Sequence, residues 1–184
     1  YWNSAEDNTG PVSYIVYHHT ESPATGGTAV AVASPAAATE YDYQYTVTGL
    51  TNGTTYYFLV HAADDAEPAN EDENAVELTG IPVGFPSAPV NVDAALGYQK
   101  ITVTWEPPED IGGTAITSYT IYRGIIVGST IMIASGVTGR TYDDGESDTS
   151  PLTVDTLYYY QVSAVNVVGE GAQSTAVSET FRHV

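Results

Sequence analysis

The 184-residue chain carries 23 acidic residues against 4 basic ones, a formal charge of −19. That balance excludes a binder of duplex nucleic acid, which needs Lys and Arg to neutralise phosphate, and disfavours an anionic membrane surface. With no cysteine, a disulfide framework, a thiolate metal centre and a Cys nucleophile are excluded too. No apolar run reaches the roughly 20 residues of a membrane helix, and Tyr1-Trp2-Asn3 does not open a signal peptide.

Thr, Val, Tyr, Gly and Ser abound while Leu, Lys and Met are scarce, which is strand-and-turn composition. Trp2 opens the chain as a predicted core residue, followed by a loop with Glu6-Asp7-Asn8. Tyr14-Ile15-Val16-Tyr17 reads as a strand ending in His18 and His19. Asn52-Gly53-Thr54 is a turn signal and the only Asn-x-Ser/Thr sequon, so Asn52 is a candidate glycosylation site. Tyr56, Phe58, Val60 and Ala62 then alternate with Tyr57, Leu59 and His61, the period of a strand with one buried face. An acidic stretch from Asp64 and Asp65 to Asp72 and Glu73 follows. Gly80 to Pro89 holds three prolines and two glycines, which breaks any strand. Beyond it, strands are predicted near 89–95, 100–106, 117–123, 130–134, 138–143, 156–165 and 174–181, with no amphipathic helix.

The chain repeats itself. Leu50 and Leu152, Tyr56 and Tyr158, Val60 and Val162, and Ala62 and Ala164 are each 102 positions apart. Trp2 matches Trp105 at 103 and Tyr14 matches Tyr119 at 105. A period near 100 with seven short strands predicts two small antiparallel sandwiches, residues 1–84 and 85–184. All four bases, Lys100, Arg123, Arg140 and Arg182, fall in the second.

The second copy resembles a fibronectin type III domain over its whole length. It opens with Ser87-Ala88-Pro89, places Trp105 on its second strand, and continues with Pro107-Pro108-Glu109-Asp110, Ile116-x-x-Tyr119-x-Ile121-x-Arg123 and Tyr158-x-Tyr160-x-Val162-x-Ala164. Leu152 lies six residues before Tyr158, as in that family's tyrosine corner, and the first copy matches at Trp2, Tyr14–Tyr17, Leu50 and Tyr56–Ala62. The resemblance implies an all-β fold, two immunoglobulin-like sandwiches in tandem, the first lacking its N-terminal strands. Nineteen residues from Pro86 precede Trp105, whereas only Tyr1 precedes Trp2. Either the chain is a fragment or another segment completes the first sandwich, including a strand donated by a neighbouring chain.

Catalytic motifs are absent: there is no Gly-x-Ser-x-Gly, His-Glu-x-x-His or Gly-rich phosphate loop. Antiparallel pairing of the two central strands would hold His61 on the order of 12 Å or more from His18 and His19, which denies a three-His metal site. No enzyme is expected in these residues. Calcium is the one candidate cofactor, with Asp7, Asp64, Asp65 and Asp72 offering oxygen ligands from two loops at one pole. The alternative is a solvated acidic rim. Asp143-Asp144-Gly145-Glu146-Ser147-Asp148 lacks the closing Glu of a calcium loop. The outward faces of the central strands, Tyr17 with Tyr57 and Tyr122 with Tyr159, are candidates for contact with a protein or polysaccharide ligand, or are cross-strand pairs that hold the sheet.

The resemblance implies a non-catalytic spacer and interaction module, two domains extending on the order of 60–70 Å, in a larger extracellular or cell-surface protein. The composition suggests a prokaryotic source, archaeal in style. Its partners are other domains of the parent chain. An adhesive role, an accessory module of a secreted hydrolase and a strand-completed filament subunit are the alternatives; no membrane insertion is expected.

Overall fold

The computed structural model describes residues 2–4, 12–22, 28–32, 43–64, 70–145 and 151–182. Every regular element in them is a strand, and every pairing is antiparallel. The chain divides into two compact units, Tyr1–Pro82 and Val83–Val184.

In the first unit, β1 (Ser13–His19), β2 (Thr28–Val32), β3 (Tyr56–Ala63) and β4 (Leu78–Gly80) form one sheet in the order β2-β1-β3-β4. Both central strands alternate apolar residues, and the register sets Val16 against Val60 and His19 against Tyr57. Tyr14, Val16 and Tyr56 are buried on one face, and Leu59 on the other. The last differs from the sequence expectation of an outward Leu59; its cross-strand neighbour is the half-buried Tyr17, and Ala63 on the same face is buried too.

The second unit is a two-sheet sandwich. β5 (Val90–Gly97), β6 (Lys100–Glu106) and β9 (Thr141–Gly145) pair in that order. Opposite them lie β7 (Ser118–Ile126), β8 (Ser129–Val137), β10 (Thr156–Val165), β11 (Glu170–Gln173) and β12 (Val177–Phe181). β12 falls within the predicted last strand, 174–181, whereas β11 precedes it where a turn was expected; both pair with β10. Ile101, Val103, Ile121, Tyr160, Val162 and Phe181 are fully buried between the sheets, as period-2 strands on two facing layers require.

Two constellations recur in both units. Trp2 stacks near Tyr14 at 5.4 Å between centroids, and Trp105 near Tyr119 at 5.3 Å. The backbone N–H of Thr51 donates to the Tyr56 hydroxyl at 3.1 Å, and that of Thr153 to the Tyr158 hydroxyl at 2.8 Å. Each hydroxyl thus ties a turn to the start of the strand that buries its ring. The two Trp residues differ, however. Trp105 is 2% exposed, whereas Trp2 is only half-buried because it lines an open groove.

Residues 83–89 are fastened to the second unit. Gly84 N–H donates to Gly112 O at 2.9 Å, and Asn166 Nδ2 donates to Gly84 O at 2.8 Å and to Ile111 O at 3.0 Å. Gly112 sits at φ 73°, and a Cβ there would lie 2.1 Å from Gly84 O, so this crossing admits only glycine.

Candidate functional site

The outward face of the two central strands carries the same arrangement in each unit. In the first, the Tyr17 hydroxyl of β1 donates to Glu71 Oε2 at 2.8 Å. The Tyr17 ring meets His61 of β3 edge-on at 5.2 Å. His61 bridges Glu71, 3.1 Å from Nδ1, and the carbonyl of Asn74, 3.0 Å from Nε2. In the second, the Tyr122 hydroxyl of β7 and the Ser163 hydroxyl of β10 both donate to Glu170 Oε1. Tyr17 and Tyr122 are 105 positions apart, and His61 and Ser163 are 102, the offsets of the repeat itself. The sequence grouped Tyr17 with Tyr57 and Tyr122 with Tyr159. Their carboxylate partners, Glu71 and Glu170, were hidden in an acidic background, and at 99 positions apart they fall off the offsets that their neighbours share.

The electrostatics follow from these contacts. The Glu71 hydrogen bond raises the Tyr17 pKa above its ordinary value, while burial and then Glu170 raise that of Tyr122. The Ser163 and Tyr122 hydroxyls lower the Glu170 pKa. On the other sheet, Asp143 accepts from Lys100 Nζ at 2.6 Å and Thr102 Oγ1 at 2.7 Å, and its pKa is lowered as well. Carboxylates held down in the folded state contribute stability above their unfolded pKa, about 4, and lose it as pH falls through the folded value. The melting temperature of the second unit is therefore expected to hold through neutral pH and fall on acidification below about pH 4. Glu170→Gln, followed by calorimetry against pH, should flatten that fall.

Tyr57 and Tyr159 lie on the same two faces, half-buried. Tyr159 opposes Gly124, and Tyr122 opposes Gln161, so the two tyrosines are diagonal neighbours. Asn52 is exposed in the turn before β3, where the following Gly53 has φ 76° and its N–H donates to Pro82 O.

The acidic pole is only partly within view: Asp7 and Asp65 lie outside the described residues, as do Glu146, Ser147, Asp148 and His183. Asp64 accepts from Asn70 through both oxygens, from the backbone N–H at 2.8 Å and from Nδ2 at 2.7 Å. Asp72 Oδ1 accepts from the Asn74 N–H at 3.2 Å. Among the described residues, no three His, Asp or Glu side chains converge as a metal site. A full site would raise stability by about 2.7 kcal/mol at a hundredfold excess over Kd. The solvated-rim alternative expects a melting curve in low salt that EDTA does not move. A calcium-dependent rise abolished by Asp64→Asn would establish the site.

Asp144 stands apart from the acidic run that contains it. The sequence placed it past the strand's end. In the structure, β9 continues through Gly145 and sets Asp144 opposite Ile101, on the inner face. There Arg123 Nη1 donates to Oδ1 at 2.8 Å and Oδ2 at 2.9 Å, and the Tyr160 hydroxyl donates to Oδ2 at 2.7 Å. The guanidinium also lies over the Tyr158 ring at 5.3 Å. Burial, and then the Asp144 acceptor, push the Tyr160 pKa far above its ordinary value. Asp144 is 1% exposed and Arg123 7%, so this is a structural lock within the core.

Residues 87–180 match the family model described as fibronectin type III domain. The chain belongs to the fibronectin type III family. It is 33% identical over 186 residues to chitinase A1 of Niallia circulans, covering 96% of this chain and 22% of that protein. It is 30% identical over 187 residues to exoglucanase B of Cellulomonas fimi, covering 98% of this chain and 15% of that protein. Among solved structures, domains A168–A170 of titin cover 93% of the chain and 68% of their own at 15% identity and a TM-score of 0.50, a likeness of fold. The chain thus spans less than a quarter of either curated relative.

Proposed function

We propose that the chain is a tandem of two fibronectin type III modules, the first incomplete in its described residues, serving as a non-catalytic spacer in a secreted or cell-surface protein. The alignment with the two bacterial relatives carries this reading: it runs along nearly all of this chain and only 22% and 15% of theirs. A chain that matches a minor part of a protein named for its hydrolysis is read as an accessory module beside the hydrolase. Site chemistry supports the same conclusion. In the first unit's tyrosine–glutamate–histidine cluster, the described hydrogen bonds join the side chains to one another and to the backbone, and in the second unit Ser163 is fully buried, leaving no accessible nucleophile there. Glycosylation at Asn52 would decorate an exposed turn without disturbing either face.

An adhesive role is the competing reading, favoured by the tyrosine faces. Depletion of the full chain from solution by insoluble chitin and cellulose separates the two. The spacer reading expects no retention on either. Retention lost on Tyr122→Ala together with Tyr159→Ala would instead make the face a polysaccharide platform.

A further inference from the structure

The five-stranded sheet of the second unit ends on β8, whose outer side takes part in no pairing among the described residues. The other strands at the borders of this unit's sheets each carry a carboxylate: Asp93 on β5, Asp143 on β9, Glu170 on β11 and Glu179 on β12. β8 carries none, and no charged residue stands anywhere between Arg123 and Arg140. In a chain of net charge −19, this border lacks the charge that keeps sheet edges apart. It is also apolar: Ile131 is 72% exposed, Met132 59%, and Val127, at the tip of the β7–β8 hairpin, 64%.

The sequence along this edge is symmetric about Met132. Val127 answers Val137, Gly128 answers Gly136, Ser129 answers Ser135 and Ile131 answers Ile133, with Thr130 against Ala134 as the one mismatch. The backbone shares the symmetry at its ends. Gly128 and Gly136 have φ 76° and 71°, left-handed positions that bound the extended stretch on both sides, and a Cβ on either would meet nothing within 4 Å. A two-fold axis through Met132 sets each residue of one antiparallel strand against its mirror position in the other. Apolar side chains then meet their own kind across the strands, Met132 against Met132 and Ile131 against Ile133.

We infer that β8 is a self-association edge whose occupant is β8 of a second copy, paired antiparallel about Met132. The pairing joins two five-stranded sheets into one. Tyr122 opposes Met132 and Ile121 opposes Ala134, so Ile133 is an extra residue, and this bulge twists the edge beside the axis. The ladder is accordingly short, and the dimer is reversible and concentration-dependent. Charge sets its salt dependence. Two copies of net charge −19 repel, and raising salt from about 0.01 M to about 1 M shrinks the screening length from about 30 Å to about 3 Å.

Sedimentation of the full chain is expected to show a monomer–dimer equilibrium that tightens by about tenfold or more over that salt range. Met132→Lys should abolish it by facing two ammonium groups across the axis, although it lowers the net charge that opposes association. Because Met132 is exposed, this variant should melt with the parent chain. Cysteine replacement reads the register, in a chain with no cysteine of its own. Met132→Cys places two thiols on the axis, within the Cα separation of about 4.4–6.8 Å that a disulfide spans. Ser135→Cys lies opposite Ser129 instead, roughly 20 Å from its counterpart at ~3.3 Å per residue. In air, Met132→Cys should therefore form a covalent dimer about tenfold faster or more than Ser135→Cys. A monomer at every concentration and salt, a dimer that survives Met132→Lys, or equal crosslinking at the two positions would overturn the inference.

Discussion

Asp144→Ala is expected to destabilise the second unit by about 3–5 kcal/mol, the cost of breaking a buried ion pair from one side. The substitution strips the carboxylate from Arg123 and the acceptor from the Tyr160 hydroxyl, both inside the sandwich. For a domain of this size, that lowers the melting temperature by at least about 12 °C. Calorimetry of the full chain reads the transition of the second unit. Replacing the whole cluster together, Asp144→Leu with Arg123→Met and Tyr160→Phe, should recover most of the loss, because no charge or hydroxyl then remains buried without a partner. A loss below about 1 kcal/mol for Asp144→Ala, the centre of the range for ordinary substitutions, would contradict the lock.

The two tryptophans should respond unequally. Trp105→Ala opens a void in a closed core and is expected to cost about 3–5 kcal/mol. Trp2 has the same aromatic neighbour but lines the open groove, so Trp2→Ala should cost about 1 kcal/mol. Equal costs, measured on the separate transitions of the two units, would mean that the first core is as closed as the second.

Much of this architecture could be read before any coordinates. The strands of the second unit were legible because Tyr158, Tyr160, Val162 and Ala164 alternate with Tyr159, Gln161 and Ser163 and are bounded by Gly, Pro and Asp. The tyrosine corner followed from Leu152 and Tyr158, and the hydrogen bond to Thr153 is there. Asp144 was not legible, since a carboxylate beside Asp143 and Glu146 in an acidic chain looks like loop. Only the continuation of β9 turns Tyr142 and Asp144 inward and Thr141 and Asp143 outward. The Glu71 and Glu170 partners escaped for a related reason: which acid meets which tyrosine depends on how the chain returns after β3 and β10, and residue spacing does not encode that path.

Turnover by the full 184-residue chain tests most directly whether these residues present and space other domains or act on a substrate themselves. Incubated with soluble and insoluble chitin and cellulose, the chain is predicted to release no reducing sugar above a buffer control. Release that is abolished by His61→Ala or Glu71→Gln, with the fold intact by circular dichroism, would contradict a non-catalytic module and place chemistry at the tyrosine–glutamate–histidine face.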